Sequence, residues 1–400
     1  MFDFGKAVGG LGKWEKFSGL RATFKSRPSP GSTPLTEARD LESNPGNLRM
    51  FTYVPASNAA NQALIVVLHG CGQTADGYNH GAGWSTLADR FGFALLLPEQ
   101  QRSNNPGGCF NWFEPGDTQR DRGEAASIRA MVAKMVRENG IDPRRVFVTG
   151  LSAGGAMTSA VLACYPEVFA GGAIIAGLPY GAAGNAQEAF ASMFQSPARP
   201  AREWGDLVRR AAPDHNGPWP RVSVWHGNAD KTVIPSNARE ILKQWIDVHG
   251  VSTAPSLESA VDGYPRQVWR NEAGEDLIES YSITHMAHGT PLATGDADSE
   301  CGAVGPFLLD AGISSSFHIA GFFGLTKAGA RSVSSTKKDV AATAARLRES
   351  QPVEAPQLQI LHGEVLNGVE EQRSAKPVPP RIDIGAVINK ALEAAGLLRR

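Results

Sequence analysis

The chain has 400 residues, 42% hydrophobic and 20% charged, which is enough apolar material for one large core with appendages. Its 39 basic and 40 acidic side chains leave a formal charge of −1, so no global field recruits nucleic acid or an anionic membrane. Four cysteines without a C-x-x-C pair exclude a disulfide scaffold and a zinc or redox motif of that type, and no apolar run reaches the ~18 residues of a transmembrane helix.

In residues 1–25, Lys6, Lys13, Glu15 and Lys16 interrupt any apolar stretch of the kind a secretory leader needs, so no export signal is expected. Residues 26–46 are rich in Pro and Ser and read as a linker or surface arm, with the folded domain expected over 47–325. Residues 49–55 (RMFTYVP) alternate like a strand. Residues 63–69 (ALIVVLH) and 93–98 (FALLLP) are continuous apolar runs, the signature of strands buried on both faces of a parallel sheet. From 124 to 139, Ile128, Met131, Val132, Met135 and Val136 fall at helical spacing. A strand at 146–149 and a small, apolar helix over 154–164 follow. Strands at 173–175 and 222–226, a helix over 238–248 and a strand pair at 267–270 and 279–283 complete the pattern. Such alternation predicts an α/β fold with a mostly parallel central sheet and helices on both faces.

Between 177 and 219 the alternation breaks into two short predicted helices, 185–194 and 202–211. An insertion after central strands belongs over the carboxyl edge of the sheet, where such folds bind ligands. Residues 326–400 contain no strand-like run and include the Pro-rich KPVPPR, so a mostly disordered or weakly helical tail is expected.

The sharpest chemical signal is Gly150-Leu151-Ser152-Ala153-Gly154, placed directly between a strand and a helix. In that context G-x-S-x-G reads as a nucleophile elbow, which lifts Ser152 above the sheet. A serine hydroxyl needs a base to take its proton and an acid to orient that base. Asp230, in HGNADKTV past a strand, is the candidate acid, with Asp214 and Asp247 as rivals. His288, before a Gly-Thr-Pro turn, is the candidate base, and His285, nearer the strand, reads as structural. The oxyanion requires two aimed backbone N–H groups, expected from Ala153 and from Cys71 in LHGCGQ. His69 reads as a packing residue that holds this loop. Trp112 and Phe113 in CFNWF fit either a core plug or an apolar wall for substrate, while Trp84, Trp225 and Trp269 read as core. Cys164, in the helix after the elbow, reads as a small buried residue.

The runs LHGCGQTADGYN, CFNWF, VTGLSAGGAM, WHGNADKTV and HMAHGTP, in this order over about 50–325, resemble the polyhydroxybutyrate depolymerase esterase family, related to feruloyl and acetylxylan esterases. The resemblance implies an α/β-hydrolase fold and a Ser–Asp–His triad, matched by Ser152, Asp230 and His288. It also implies a disulfide between Cys71 and Cys109, a pair that the residues alone fit equally well as two reduced thiols. The expected activity is ester hydrolysis through an acyl-enzyme on Ser152, on poly(3-hydroxybutyrate)-type oligomers, polymer or short hydroxyalkanoate esters, without cofactor or metal. Feruloyl or acetylxylan esterase activity is the alternative, and a non-catalytic polymer-granule-binding module is the alternative of another class. The resemblance implies an extracellular or periplasmic protein, whereas the leaderless pattern is that of a cytoplasmic one. The tail lacks the pattern of a polymer-adsorbing β-module, which favours soluble oligomers, amorphous polymer or small esters.

Overall fold

The apolar runs at the centre of the chain become strands whose alternate residues enter two separate cores. The computed structural model describes residues 34–56 and 62–326. In chain order the elements are β1 (Thr36–Ala38), β2 (Arg49–Tyr53), β3 (Gln62–Leu68), α1 (Ala75–Ala82), α2 (Trp84–Phe91), β4 (Ala94–Glu99), α3 (Pro115–Thr118), α4 (Gly123–Asn139), β5 (Ile141–Leu151), α5 (Ala153–Cys164) and β6 (Gly171–Ile175). They continue as α6 (Ala186–Gln195), α7 (Ala201–Ala211), β7 (Arg221–Gly227), α8 (Ser236–His249), β8 (Leu257–Val261), β9 (Tyr264–Arg270), β10 (Asp276–Ile283), β11 (Thr290–Leu292), β12 (Leu308–Asp310) and α9 (Ser315–Phe322).

Ten strands form one sheet in the order β1-β2-β4-β3-β5-β6-β7-β10-β9-β8. The strands from β4 to β10 in that order pair in parallel, and both edges are antiparallel. Side chains alternate across a strand, so a strand buried on both faces must be apolar at every position. In β3, Leu64, Val66 and Leu68 pack with α4, α5 and α8 on one face. Ala63, Ile65 and Val67 pack with α1, α2 and α9 on the other. This is the α/β-hydrolase architecture, with a mostly parallel sheet covered on both faces. Trp84, Trp225 and Trp269 are core residues, as their surroundings in the sequence predict.

Strand order reverses beside β3, which has β4 on one side and β5 on the other. Crevices at the carboxyl ends of strands at such a reversal are where open α/β sheets hold ligands. The loops carrying His69-Gly70-Cys71 and Ser152 leave the sheet at that point. The insertion also leaves this edge, after β6, and forms α6 and α7. Trp204 of α7 packs with Leu178, Ala182, Ala156 of α5 and Val233.

Two sequence expectations need correction. The ordered domain starts before 47, because Thr36–Ala38 pairs antiparallel with β2 and Leu35 enters the core. This three-residue, polar edge strand relies on backbone hydrogen bonds and on the Arg49 Nε–Glu37 Oε1 contact of 2.8 Å, neither of which makes an apolar pattern. The stretch before β5 is also strand, from Ile141, although Pro143, Arg144 and Arg145 lie exposed within it. The expectations for residues 1–33 and 327–400 lie outside the described residues.

If β1 belongs to the domain, a chain begun at Asn47 should melt at least about 2–4 °C below one begun at Leu35, from loss of the Leu35 contacts and the edge pairing. Equal melting temperatures by calorimetry would return residues 35–46 to the status of an arm.

Candidate active site

The chain turns sharply from β5 into α5 because two positions on that corner have no room for a side chain. A Cβ on Gly154 would lie 2.4 Å from the Leu68 carbonyl oxygen, and one on Gly150 would lie 2.4 Å from the Gly154 backbone. Between them Ser152 adopts φ 58° and ψ −116°, a conformation that costs free energy in any residue with a side chain. Its N–H donates to the Ile175 carbonyl at 2.9 Å, which fastens the corner to β6. Ala153 is the first residue of α5, so its N–H has no acceptor within the helix. The sequence motif thus becomes a half-buried serine at a helix N-terminus.

Asp230 follows β7 and is 3% exposed. Its Oδ1 accepts from the N–H groups of Thr232 at 2.8 Å and Val233 at 3.0 Å. Its Oδ2 lies 2.7 Å from His288 Nδ1. A carboxylate only accepts, so Nδ1 carries the proton and Nε2 presents its lone pair. The loops that carry Asp230 and His288 are also joined by backbone: Asn228 N donates to the Ile283 carbonyl at 3.0 Å and Ala229 N to the Met286 carbonyl at 3.1 Å. His285 is exposed on the same loop, and its own N–H donates to Asn228 Oδ1 at 2.7 Å. The rival acids stand elsewhere, with Asp247 held by Arg209 at 2.7 Å and Asp214 exposed in the insertion.

A second imidazole reaches the same carboxylate. His226, on β7, places Nε2 2.8 Å from the Val233 carbonyl and 3.3 Å from Asp230 Oδ2. The carbonyl fixes the proton on Nε2, and the buried Nδ1 has no hydrogen-bond partner among the described residues. Burial raises the Asp230 carboxyl, but hydrogen bonds from His226 and His288 outweigh it and hold the group well below the ordinary carboxylate range. Sequence reasoning passed over His226. The signal was its position four residues before Asp230 in WHGNAD.

The loop after β3 is held by covalent and polar contacts. Cys71 and Cys109 form a disulfide with Cα atoms 4.2 Å apart. His69 Nε2 accepts from the Gln100 N–H at 3.1 Å, so Nδ1 carries the proton and donates to the Gly70 carbonyl at 2.8 Å. Burial lowers the pKa of this imidazole, consistent with a neutral ring that holds the loop. Gln100 Nε2 donates to the Cys109 carbonyl at 3.0 Å and to Glu124 Oε1, while Glu124 Oε2 accepts from Asn111 N at 2.9 Å. Burial, reinforced by the charge of Asp117, pushes the Glu124 carboxyl up to about 8.

In CFNWF, Phe110 and Phe113 are buried and Trp112 is half-buried, edge-on to Phe113. Trp112 packs toward Ala156 and Val233 and also lines a cleft of about 510 Å³ with Tyr180, Leu207 and Arg210. A larger cleft of about 1310 Å³ opens at the opposite, amino-terminal ends of β6, β7 and β10, and contains none of the residues above. Cys164 is buried, donates from Sγ to the Thr118 carbonyl at 3.0 Å, and has its thiol pushed up to about 12 by burial. Among the described residues no group of three or more His, Cys, Asp or Glu could hold a metal ion, and no helix is long and apolar enough to cross a membrane.

Residues 48–263 match a family model described as "Esterase PHB depolymerase". The chain is 45% identical over 291 residues to "Poly(3-hydroxyalkanoate) depolymerase C" of Paucimonas lemoignei, covering 73% of this chain and 70% of that protein. It is 36% identical over 276 residues to an acetylxylan esterase of Coprinopsis cinerea, covering 68% and 73% of the two. A solved acetyl xylan esterase from Aspergillus awamori is similar with a TM-score of 0.59 and 28% identity, over 64% of this chain and 93% of that one.

The buried Glu124 makes stability depend on pH in a definite direction. Its folded pKa lies above the ordinary value of 4.5, so its contribution is intact at lower pH and is lost as pH rises toward about 8. Glu124→Gln should therefore flatten the fall in Tm between about pH 5 and about pH 8. An unchanged slope in the variant would show that Glu124 ionises in the folded protein as it does in the unfolded chain.

Proposed function

The chain belongs to the esterase PHB depolymerase family, and on that premise we propose that it is a serine carboxylesterase acting on short hydroxyalkanoate esters and poly(3-hydroxybutyrate)-type oligomers through Ser152. The observation that carries the reading is the 2.7 Å Asp230–His288 contact, made from the carboxyl ends of β7 and β10 in the same parallel stretch of sheet whose β5 ends in the strained Ser152 corner. Ser152 Oγ attacks the ester carbonyl while His288 Nε2 takes its proton. Asp230 stays ionised, in keeping with its lowered carboxyl pKa, and supports the imidazolium through Nδ1. The N–H groups of Cys71 and Ala153 receive the developing oxyanion. His288 then returns the proton to the leaving alcohol. A water, deprotonated by the same imidazole, releases the acid from Ser152. No step calls for a metal or a redox group.

Hydroxyalkanoate esters are preferred over acetylated or feruloylated plant polysaccharide because identity to the hydroxyalkanoate depolymerase is 45%, against 36% to the acetylxylan esterase. A purely binding scaffold is disfavoured because its members have no use for a buried acid–base pair. Trp112, half-buried beside the 510 Å³ cleft, is the proposed apolar wall; Phe113 contributes from behind it as a packing partner.

Ser152→Ala should fold normally and lose at least ~10³-fold in turnover of p-nitrophenyl acetate and of a hydroxybutyrate trimer. His288→Ala should lose a similar factor. His285→Ala, at an exposed position outside the pair, should stay within about twofold of the parent. Chromatography of the products should show hydroxybutyrate released from the trimer. Near-native rates in Ser152→Ala would remove the serine mechanism, and rapid deacetylation of xylan with an inert trimer would reassign the substrate.

A further inference from the structure

The base loop is backed by a turn whose geometry calls for glycine and receives phenylalanine. Leu308 N donates to the Gly305 carbonyl at 3.0 Å, closing a turn over Pro306 and Phe307, and Phe307 has φ 62°. Proline second and positive φ third make a type II turn, in which the third residue is ordinarily Gly or Asn. A bulky side chain at such a φ is strained, and strain of this kind persists where something else requires the residue. Core packing is not that requirement, because Phe307 is 45% exposed.

The turn touches both halves of the proposed site. The Phe307 carbonyl accepts from Thr290 N at 2.8 Å, two residues after His288. The Phe307 ring stands edge-on to the His288 imidazole, with centroids 5.9 Å apart. The Pro306 carbonyl accepts from Gln73 Nε2 at 3.3 Å, and Gln73 Oε1 accepts from Gly70 N at 2.8 Å in the loop that carries Cys71.

Two of the exposed large hydrophobic side chains among the described residues fall in this loop. The described residues include four: Val304 at 64%, Phe307 at 45%, Phe194 at 40% and Leu257 at 37%. Val304 and Phe307 share the one loop. Scattered singly, such residues mean little, but two on one loop, with the Phe307 ring against His288, mark a surface that meets apolar material.

We infer that Val304 and Phe307 form an apolar subsite beside His288 that binds the methyl-bearing chain of an oligomeric hydroxyalkanoate ester next to its scissile bond. The subsite rests on the function proposed above and adds to it the part of the substrate that is gripped. A short acetate ester has no chain to place there, whereas a trimer does. The strained φ makes the proposal unusually open to test, since glycine should relax the turn while deleting the ring.

The test compares kcat/KM on a 3-hydroxybutyrate trimer with kcat/KM on p-nitrophenyl acetate in the parent, Phe307→Gly, Phe307→Leu and Val304→Ser, with Tm measured for each. Phe307→Gly should keep or raise Tm, yet lower the trimer-to-acetate ratio about tenfold, chiefly through KM. Val304→Ser should lower the ratio in the same direction, and Phe307→Leu should restore most of it. An unchanged ratio in Phe307→Gly, whether both substrates weaken or neither does, would overturn the subsite. Ser152→Ala run alongside separates the two ideas: retained hydrolysis there sinks the serine mechanism itself, while an unchanged ratio in a Ser152-dependent enzyme sinks the subsite alone.

Discussion

The closeness of Gly154 to the end of β3 is the constraint on which the rest of this site depends. With only 2.4 Å between the position of a Cβ and the Leu68 carbonyl, α5 can start hard against the strand that launches the Cys71 loop. That seating forces Ser152 into its positive-φ corner and puts the free N–H of Ala153 beside the same loop. Ser152, the start of α5 and the Cys71 loop are therefore brought together by backbone packing before any side chain contributes. The cost of the strained corner is met by the buried α5, every residue of which lies in the core.

Around that apolar seat the protein buries Asp230 and His69, and the partners of each set where a proton sits. Asp230 accepts two backbone N–H groups on one oxygen and two imidazoles on the other, so it stays ionised although burial opposes it. His69 is treated in the opposite way, neutral and holding a carbonyl with the proton it keeps. The disulfide then ties Cys71 to the segment carrying Trp112, and Gln100 joins that segment to His69 and Glu124. The Cys71 loop is thus held by the disulfide and by the His69 ring between Gln100 and the Gly70 carbonyl, which suits the proposed role of Cys71 as a donor aimed before the charge develops.

Where a structural feature has a short-range chemical signature, the sequence discloses it. Alternate burial on two faces made β3 and β4 visible as unbroken apolar runs, and the elbow was visible because its glycines are sterically compulsory. Asp230 and His288 were legible from their position after strands, and the 2.7 Å contact joins those two and leaves out His285, Asp214 and Asp247. Features made by long-range contact were not legible. Thr36–Ala38 is a strand only because β2 lies beside it, α1 and α2 are too short to show a period and α1 is interrupted by two glycines, and β11 and β12 exist only through each other. The pairing of Cys71 with Cys109 came from family resemblance, since spacing says nothing about which sulfurs meet. His226 needed the fold to show that a strand residue and a loop residue four positions on share one carboxylate.

The central claim is that Ser152 takes up the acyl group, and covalent trapping examines it more directly than loss of activity can. A p-nitrophenyl alkylphosphonate presents a tetrahedral phosphorus to the nucleophile, which bonds to it as p-nitrophenolate leaves. Mass spectrometry of the digested protein should find one phosphonyl group per chain, on the peptide containing Ser152, with labelling strongly slowed in His288→Ala. Complete inactivation with the label on another residue, or with Ser152 unmodified, would contradict the account.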